Sequence, residues 1–165
     1  LTLKQMSVLF ASLVFLGSAI VWGLKVTTPR IEETAGSGIM AETFHYPLKL
    51  MMVLNKTMFE VGEPVKITFI IENIGNETLT LFFADGIDCE SFIVYDEAGS
   101  QVYKDIHYYP QIHIPFMLPP SLSTSMTPTW YQNLSPGSYQ IVGLFVSGSL
   151  GFNIETQPMT ITIGL

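Results

Sequence analysis

The chain has 165 residues, of which 48% are hydrophobic and only 13% are charged, about half the charged share usual in a globular protein. Fourteen acidic against seven basic residues leave a net charge of −7, which disfavours nucleic acid as a partner because phosphate recognition needs a basic surface. A single cysteine, Cys89, excludes an intramolecular disulfide framework, so the fold must rest on its apolar core and its contacts.

The first predicted element is an apolar helix. Nineteen uncharged residues run from Met6 to Leu24, bracketed by Lys4 and Lys25. That is the length of about 20 residues that a hydrocarbon core of roughly 30 Å demands. All 14 acidic residues follow Lys25. Ala19 and Gly23 form a small-xxx-small pair, and Ser7 and Ala11 form another. With Ser18 they would let helix backbones approach closely, while Phe10, Phe15 and Trp22 would fill the gaps between helices. A secretory signal, a permanent anchor and the oligomerising helix of a filament subunit all fit such a segment. Leu16-Gly17-Ser18-Ala19 has the small residues of a cleavable signal, and Trp22 beside Lys25 suits an interfacial anchor.

The layout, a chain that opens on an apolar helix and continues into a β-rich head, resembles the archaeal type IV pilins and archaellins. In that family a peptidase removes a short basic leader and the apolar helix is retained. The resemblance covers residues 1–28; Gln5 stands where bacterial pilins usually carry Glu, a Glu that archaeal members often lack. It implies a processed start at Leu1, insertion in the cytoplasmic membrane before assembly, and polymerisation with copies of the same chain into an extracellular filament.

Residues 29–46 read as a neck. Val26-Thr27-Thr28-Pro29 stops the helix, since proline lacks the amide donor and disfavours helical backbone before it, and Ala35-Gly36-Ser37-Gly38 is turn material. From residue 47 the period becomes two. Leu48, Leu50, Met52 and Leu54 alternate with Lys49 and Met51; Val65, Ile67, Phe69 and Ile71 alternate with Lys66, Thr68 and Glu72; Leu79, Leu81 and Phe83 alternate with Thr80 and Phe82. Further strands are expected at 92–96, 101–106, 122–127, 139–146 and 159–163. Turn signals such as Val61-Gly62-Glu63-Pro64 and Asn73-Ile74-Gly75-Asn76 recur every 8 to 12 residues or so, the pattern of a sandwich. The expected fold class is α+β: one long N-terminal hydrophobic helix over 1–28, then an immunoglobulin-like β-sandwich head of seven to nine strands over 47–165.

The stretch from Phe59 to Asn73 (FEVGEPVKITFIIEN), with Trp130 and Leu134-Ser135-Pro136-Gly137-Ser138-Tyr139 downstream, resembles the Ig-like domain typified by the Bacillus intracellular proteinase inhibitor. The resemblance implies the sandwich fold, whose related domains also serve as adhesive or structural modules; fold by itself does not imply inhibition.

Three sequons, at Asn55, Asn76 and Asn133, fall at predicted turns and are candidate acceptors of N-linked glycans in an exported head. The segment His107 to Pro120 (HYYPQIHIPFMLPP) is apolar yet broken by four prolines, so it reads as a loop. Its Tyr108, Tyr109, Ile112, Ile114, Phe116 and Met117 would form a sticky patch for contact between heads, or fold back over one end of the sandwich. His107, His113, Asp105 and His45 match no strong metal-ligand spacing, and Cys89 has no base near it in sequence. No metal, cofactor or catalytic residue is therefore expected, and the chain reads as a non-enzyme.

The reading that gathers these features is a structural subunit of an extracellular type IV pilus-like filament, either an adhesion pilus or an archaellum. The second is a surface protein anchored by one membrane helix, whose Ig-like domain binds an envelope or motor partner as the accessory proteins of the archaellum do. The third is a proteinase-inhibitor-like binding module.

Overall fold

The structure is a computed structural model and describes residues 38–83, 88–105 and 115–165. These residues form thirteen strands and no helix: β1 (Ile39–His45), β2 (Leu48–Leu54), β3 (Met58–Glu60), β4 (Pro64–Asn73), β5 (Leu79–Leu81), β6 (Asp88–Tyr95), β7 (Gln101–Lys104), β8 (Phe116–Leu118), β9 (Ser123–Met126), β10 (Thr129–Tyr131), β11 (Gly137–Ser147), β12 (Phe152–Glu155) and β13 (Met159–Gly164). The expected α+β class is thus corrected to all-β over the described residues, because the period of two persists wherever the chain packs. The expected helix over 1–28, with its packing candidates Ser7, Phe10, Ala11, Phe15, Ser18, Ala19, Trp22 and Gly23, lies outside the described residues. Among those described, no helix is long and apolar enough to cross a membrane.

One sheet runs β1-β2-β4-β10, with β9 also on β4; the other runs β3-β13-β11-β6-β7, with β12 also on β11. Pairing is antiparallel except for β3 beside β13, which is parallel. Alternation puts one face of each strand in the core. On β2 and β4 the inward residues are Leu48, Leu50, Met52 and Leu54, and Val65, Ile67, Phe69 and Ile71, all at most 1% exposed. Facing them lie Phe92, Val94, Ile141, Phe145, Ile161 and Ile163. Gly143 permits the sheets to close, since a Cβ there would sit 2.9 Å from both Met52 Sδ and Phe69 Cε1.

More strands appear than expected because the flanks of β4 and β11 are each split. Pro128 separates β9 from β10 although its carbonyl still accepts the Ile67 N–H at 3.1 Å. Pro158 lies between β12 and β13, and there the Thr156 N–H reaches Gly143 O at 2.8 Å. β1 also occupies residues read from sequence as the neck and pairs with β2 over seven positions. The motifs behind the Ig-like resemblance do structural work. Trp130 packs at a tilt against Phe92 and Tyr103, with centroid distances of 5.4 and 5.0 Å. The Tyr139 hydroxyl donates to Ser135 O at 2.9 Å, the corner bond of immunoglobulin-like sandwiches.

Candidate functional site

Strand register decides which turns share an end of the sandwich. His45 opposes Leu48, Leu48 opposes Asn73, and Glu72 opposes Ser123. His45 stacks on Phe152 with centroids 4.1 Å apart, which brings the β11–β12 turn and the start of β6 to the same end. The turns at 61–63 and 132–136 and the end of β13 lie at the opposite end, where the Val61 N–H donates to Gly164 O at 3.2 Å.

Two buried polar side chains organise the first end from beneath. Asn73, 0% exposed, donates through Nδ2 to Glu77 O and Leu118 O, both at 2.8 Å. Its Oδ1 accepts the Gly75 N–H at 2.9 Å. One amide thereby holds the turn after β4 against the end of β8, 45 residues away in sequence. Asp88 is also 0% exposed. Its Oδ2 accepts the Phe82 N–H at 2.7 Å, and its Oδ1 accepts the Ser147 hydroxyl at 2.8 Å and the Ser149 N–H at 3.2 Å. A carboxylate tolerates such burial when donors replace water, and here they come from the residue after β5 and from the β11–β12 turn. The third clasp is steric: Gly75 packs so closely on the β1–β2 turn that a Cβ would meet Pro47 Cβ at 2.8 Å.

Over these clasps lies a two-stranded ribbon, β5 paired with β8. Leu81 and Leu118 point into the core at 0% and 1% exposure. Phe116 leans edge-on against Phe83 with centroids 5.7 Å apart, and the Thr80 hydroxyl donates to Met117 Sδ at 3.4 Å. Among the described residues, Tyr46 (67%), Met117 (56%), Phe116 (39%) and Ile74 (38%) are exposed large apolar side chains at this end. Within 46–47, 73–83, 115–122 and 147–152, Glu77 is the single charged residue. Apolar, aromatic and methionine side chains with few charges are the composition of an interface core. Because the backbone beneath is fixed, little ordering would be required on binding.

Of the candidates from sequence, Phe116 and Met117 belong to this end, whereas Tyr108, Tyr109, Ile112 and Ile114 lie outside the described residues. Asn55, Asn76 and Asn133 are all exposed, and Asn76 Oδ1 accepts the Tyr46 hydroxyl at 3.3 Å. His107 and His113 lie outside the described residues, and among those described no group of histidine, cysteine and carboxylates has metal-holding geometry. The Cys89 thiol is pushed up, first by burial and then by the carboxylates of Glu90, Asp88 and Asp105, which keeps it protonated and unreactive near neutrality. Sequence reasoning missed Asn73, Asp88 and Tyr46. Asn73 read as turn material, and the pull of its side chain on residue 118 has no local signature.

Residues 52–150, more than half of the chain, match the model of the family described as BsuPI, intracellular proteinase inhibitor. No curated protein matches. Among solved structures, β-glucosidase from Listeria innocua in complex with glucose is 12% identical with a TM-score of 0.47, over 72% of this chain and 16% of that one. The CARDB domain of a Pyrococcus furiosus protein, in complex with two metal ions, is 14% identical with a TM-score of 0.44, over 74% of this chain and 92% of that one. The chain thus spans about a sixth of the β-glucosidase's length, and at TM-scores below 0.5 no argument rests on either likeness. The family match overturns the expected function. The pilus-like filament subunit, its anchored-surface alternative, the helical homopolymer and the extracellular location all give way to a family described by inhibition of proteinases. The physical reason is that an apolar run reports which solvent a segment prefers, not what the adjoining domain binds.

Proposed function

This chain belongs to the intracellular proteinase inhibitor family, and from that premise we propose that it binds a protease through the end of the sandwich built over Asn73 and Asp88, without catalysing a reaction itself. The observation that carries the reading is the pairing of exposed apolar side chains with a backbone clasped from below. An inhibitor that enters a protease cleft must keep its shape there, since a mobile segment would be positioned and cut like a substrate. Protease–inhibitor complexes accordingly form with little backbone movement. Phe116 and Met117 are the proposed central anchors, with Tyr46 and Ile74 at their margin, and the partner is a protease whose recognition surface accepts large apolar side chains.

The test is inhibition of a panel of endoproteases of differing specificity by the full chain and by Phe116→Ser and Met117→Glu. Met117→Glu is expected to keep the unfolding free energy within about 0.5 kcal/mol and Phe116→Ser, which gives up its packing on Phe83, to lose about 1 kcal/mol and stay folded, while each weakens inhibition at least tenfold. Tyr131→Ser, which alters a residue 77% exposed at the opposite end, is expected to inhibit as wild type does. Folded Phe116 and Met117 variants of undiminished potency would sink the assignment of this end.

A further inference from the structure

Eight methionines are present in the sequence, and burial sorts those described. Met51, Met52 and Met159 are at most 7% exposed and Met126 is partly buried against the core, whereas Met40, Met58 and Met117 are 54%, 71% and 56% exposed. Thioether oxidation follows exposure, so among the described residues these three are the sites a water-borne oxidant reaches first. Met40 lies on the outer face of edge strand β1 and Met58 on β3, which pairs with β13. Met117 alone of the three belongs to the charge-poor end described above. It sits on the ribbon opposite Thr80, whose hydroxyl is already directed at its sulfur.

We propose that Met117 is a modification site, oxidised by hydroperoxides to the sulfoxide, and that this modification releases the protease. The inference rests on the function proposed above. In the reaction the thioether sulfur attacks the terminal oxygen of the hydroperoxide: the O–O bond breaks, an S=O bond forms, sulfur loses two electrons and the alcohol or water departs with the proton. The Thr80 hydroxyl, a weak donor to sulfur beforehand, gains a far better acceptor in the sulfoxide oxygen. A flexible apolar side chain becomes polar at the centre of a contact that must be dry, and a sulfoxide drawn back toward Thr80 no longer presents an apolar tip to the protease, while its remaining polarity must be desolvated on binding.

The experiment treats the full chain with hydrogen peroxide, maps oxidation by peptide mass spectrometry and measures inhibition of the most strongly inhibited protease of the panel. Conversion of Met117 is expected to parallel a loss of potency of at least tenfold, and methionine sulfoxide reductases are expected to restore it. Met117→Leu, close in volume and without sulfur, is expected to show the same inhibition constant before and after peroxide, whatever its untreated potency relative to the wild type; Met40→Leu and Met58→Leu are expected to remain peroxide-sensitive. Peroxide-induced loss in Met117→Leu, or full potency with Met117 quantitatively oxidised, would overturn the proposal. Unchanged inhibition by Phe116→Ser would instead overturn the binding end itself, so the two failures are distinguishable.

Discussion

A carboxylate with no exposed surface survives only where donors have replaced its water, and Asp88 shows how narrow that condition is. Both oxygens face donors: Phe82 N–H on one, Ser147 Oγ and Ser149 N–H on the other. Asp88→Asn, equal in shape, would turn an N–H₂ group toward at least one of them. The expected cost is about 2 kcal/mol of unfolding free energy, to be read from urea denaturation. Asn73→Asp should cost more, about 3 kcal/mol, because it sets an acceptor against the Glu77 and Leu118 carbonyls. A change of under half a kcal/mol in either would contradict the clasps. Cys89 makes a pH-dependent case. Burial, then the neighbouring carboxylates, raise its thiol above the ordinary value, so the folded state holds that proton more tightly than the unfolded chain. Its contribution is full below the unfolded thiol value of about 8.5 and is lost as pH climbs through the raised folded one. Relative to Cys89→Ala, the wild type should therefore lose stability on the alkaline side alone; parallel pH profiles would speak against it.

At the scale of elements, the sheets are spaced by what Gly143 lacks. Gly143→Ala would force Met52 and Phe69 aside from 2.9 Å contacts and should destabilise the protein by about 2 kcal/mol, whereas Tyr139→Phe, which removes the corner bond to Ser135 O, should cost about 1 kcal/mol. Thermal melts of the two would rank them, and the reverse order would mean that the corner, not the sheet approach, limits stability. The long strands were legible in sequence because one buried face imposes alternation, as in Val65, Ile67, Phe69 and Ile71. β1 was not, since Ile39–His45 buries only Ala41 fully and edge strands carry little pattern. β5 was legible through the alternation of Leu79 and Leu81 about Thr80, but its partner β8, three residues inside a segment read as a loop, was hidden because their pairing is set by tertiary contacts that no local window contains. Phe116 and Met117 were singled out in sequence as apolar loop residues and both are exposed, while the buried groups beneath them had no local signature.

At the scale of the whole molecule, the two ends of the sandwich differ in kind. Among the described residues, one exposes apolar side chains over the buried Asp88; the other carries the Lys56–Glu63 pair and the exposed Tyr131. With a net charge of −7, long-range attraction would favour a partner of basic surface and would fade with salt. Raising ionic strength should therefore slow association with such a protease while leaving dissociation from the apolar contact nearly unchanged, and a salt-independent association rate would exclude steering. The split flanks of the two sheets bear on time as well as on shape. β4 and β11 run unbroken for ten and eleven residues, yet each is bordered on one side by two short strands with a proline between them. Backbone amides at those junctions open without disturbing the long strands, so deuterium should enter near Pro128 and Pro158 within minutes while the β4–β2 and β11–β6 ladders keep their hydrogen until the domain unfolds as a whole.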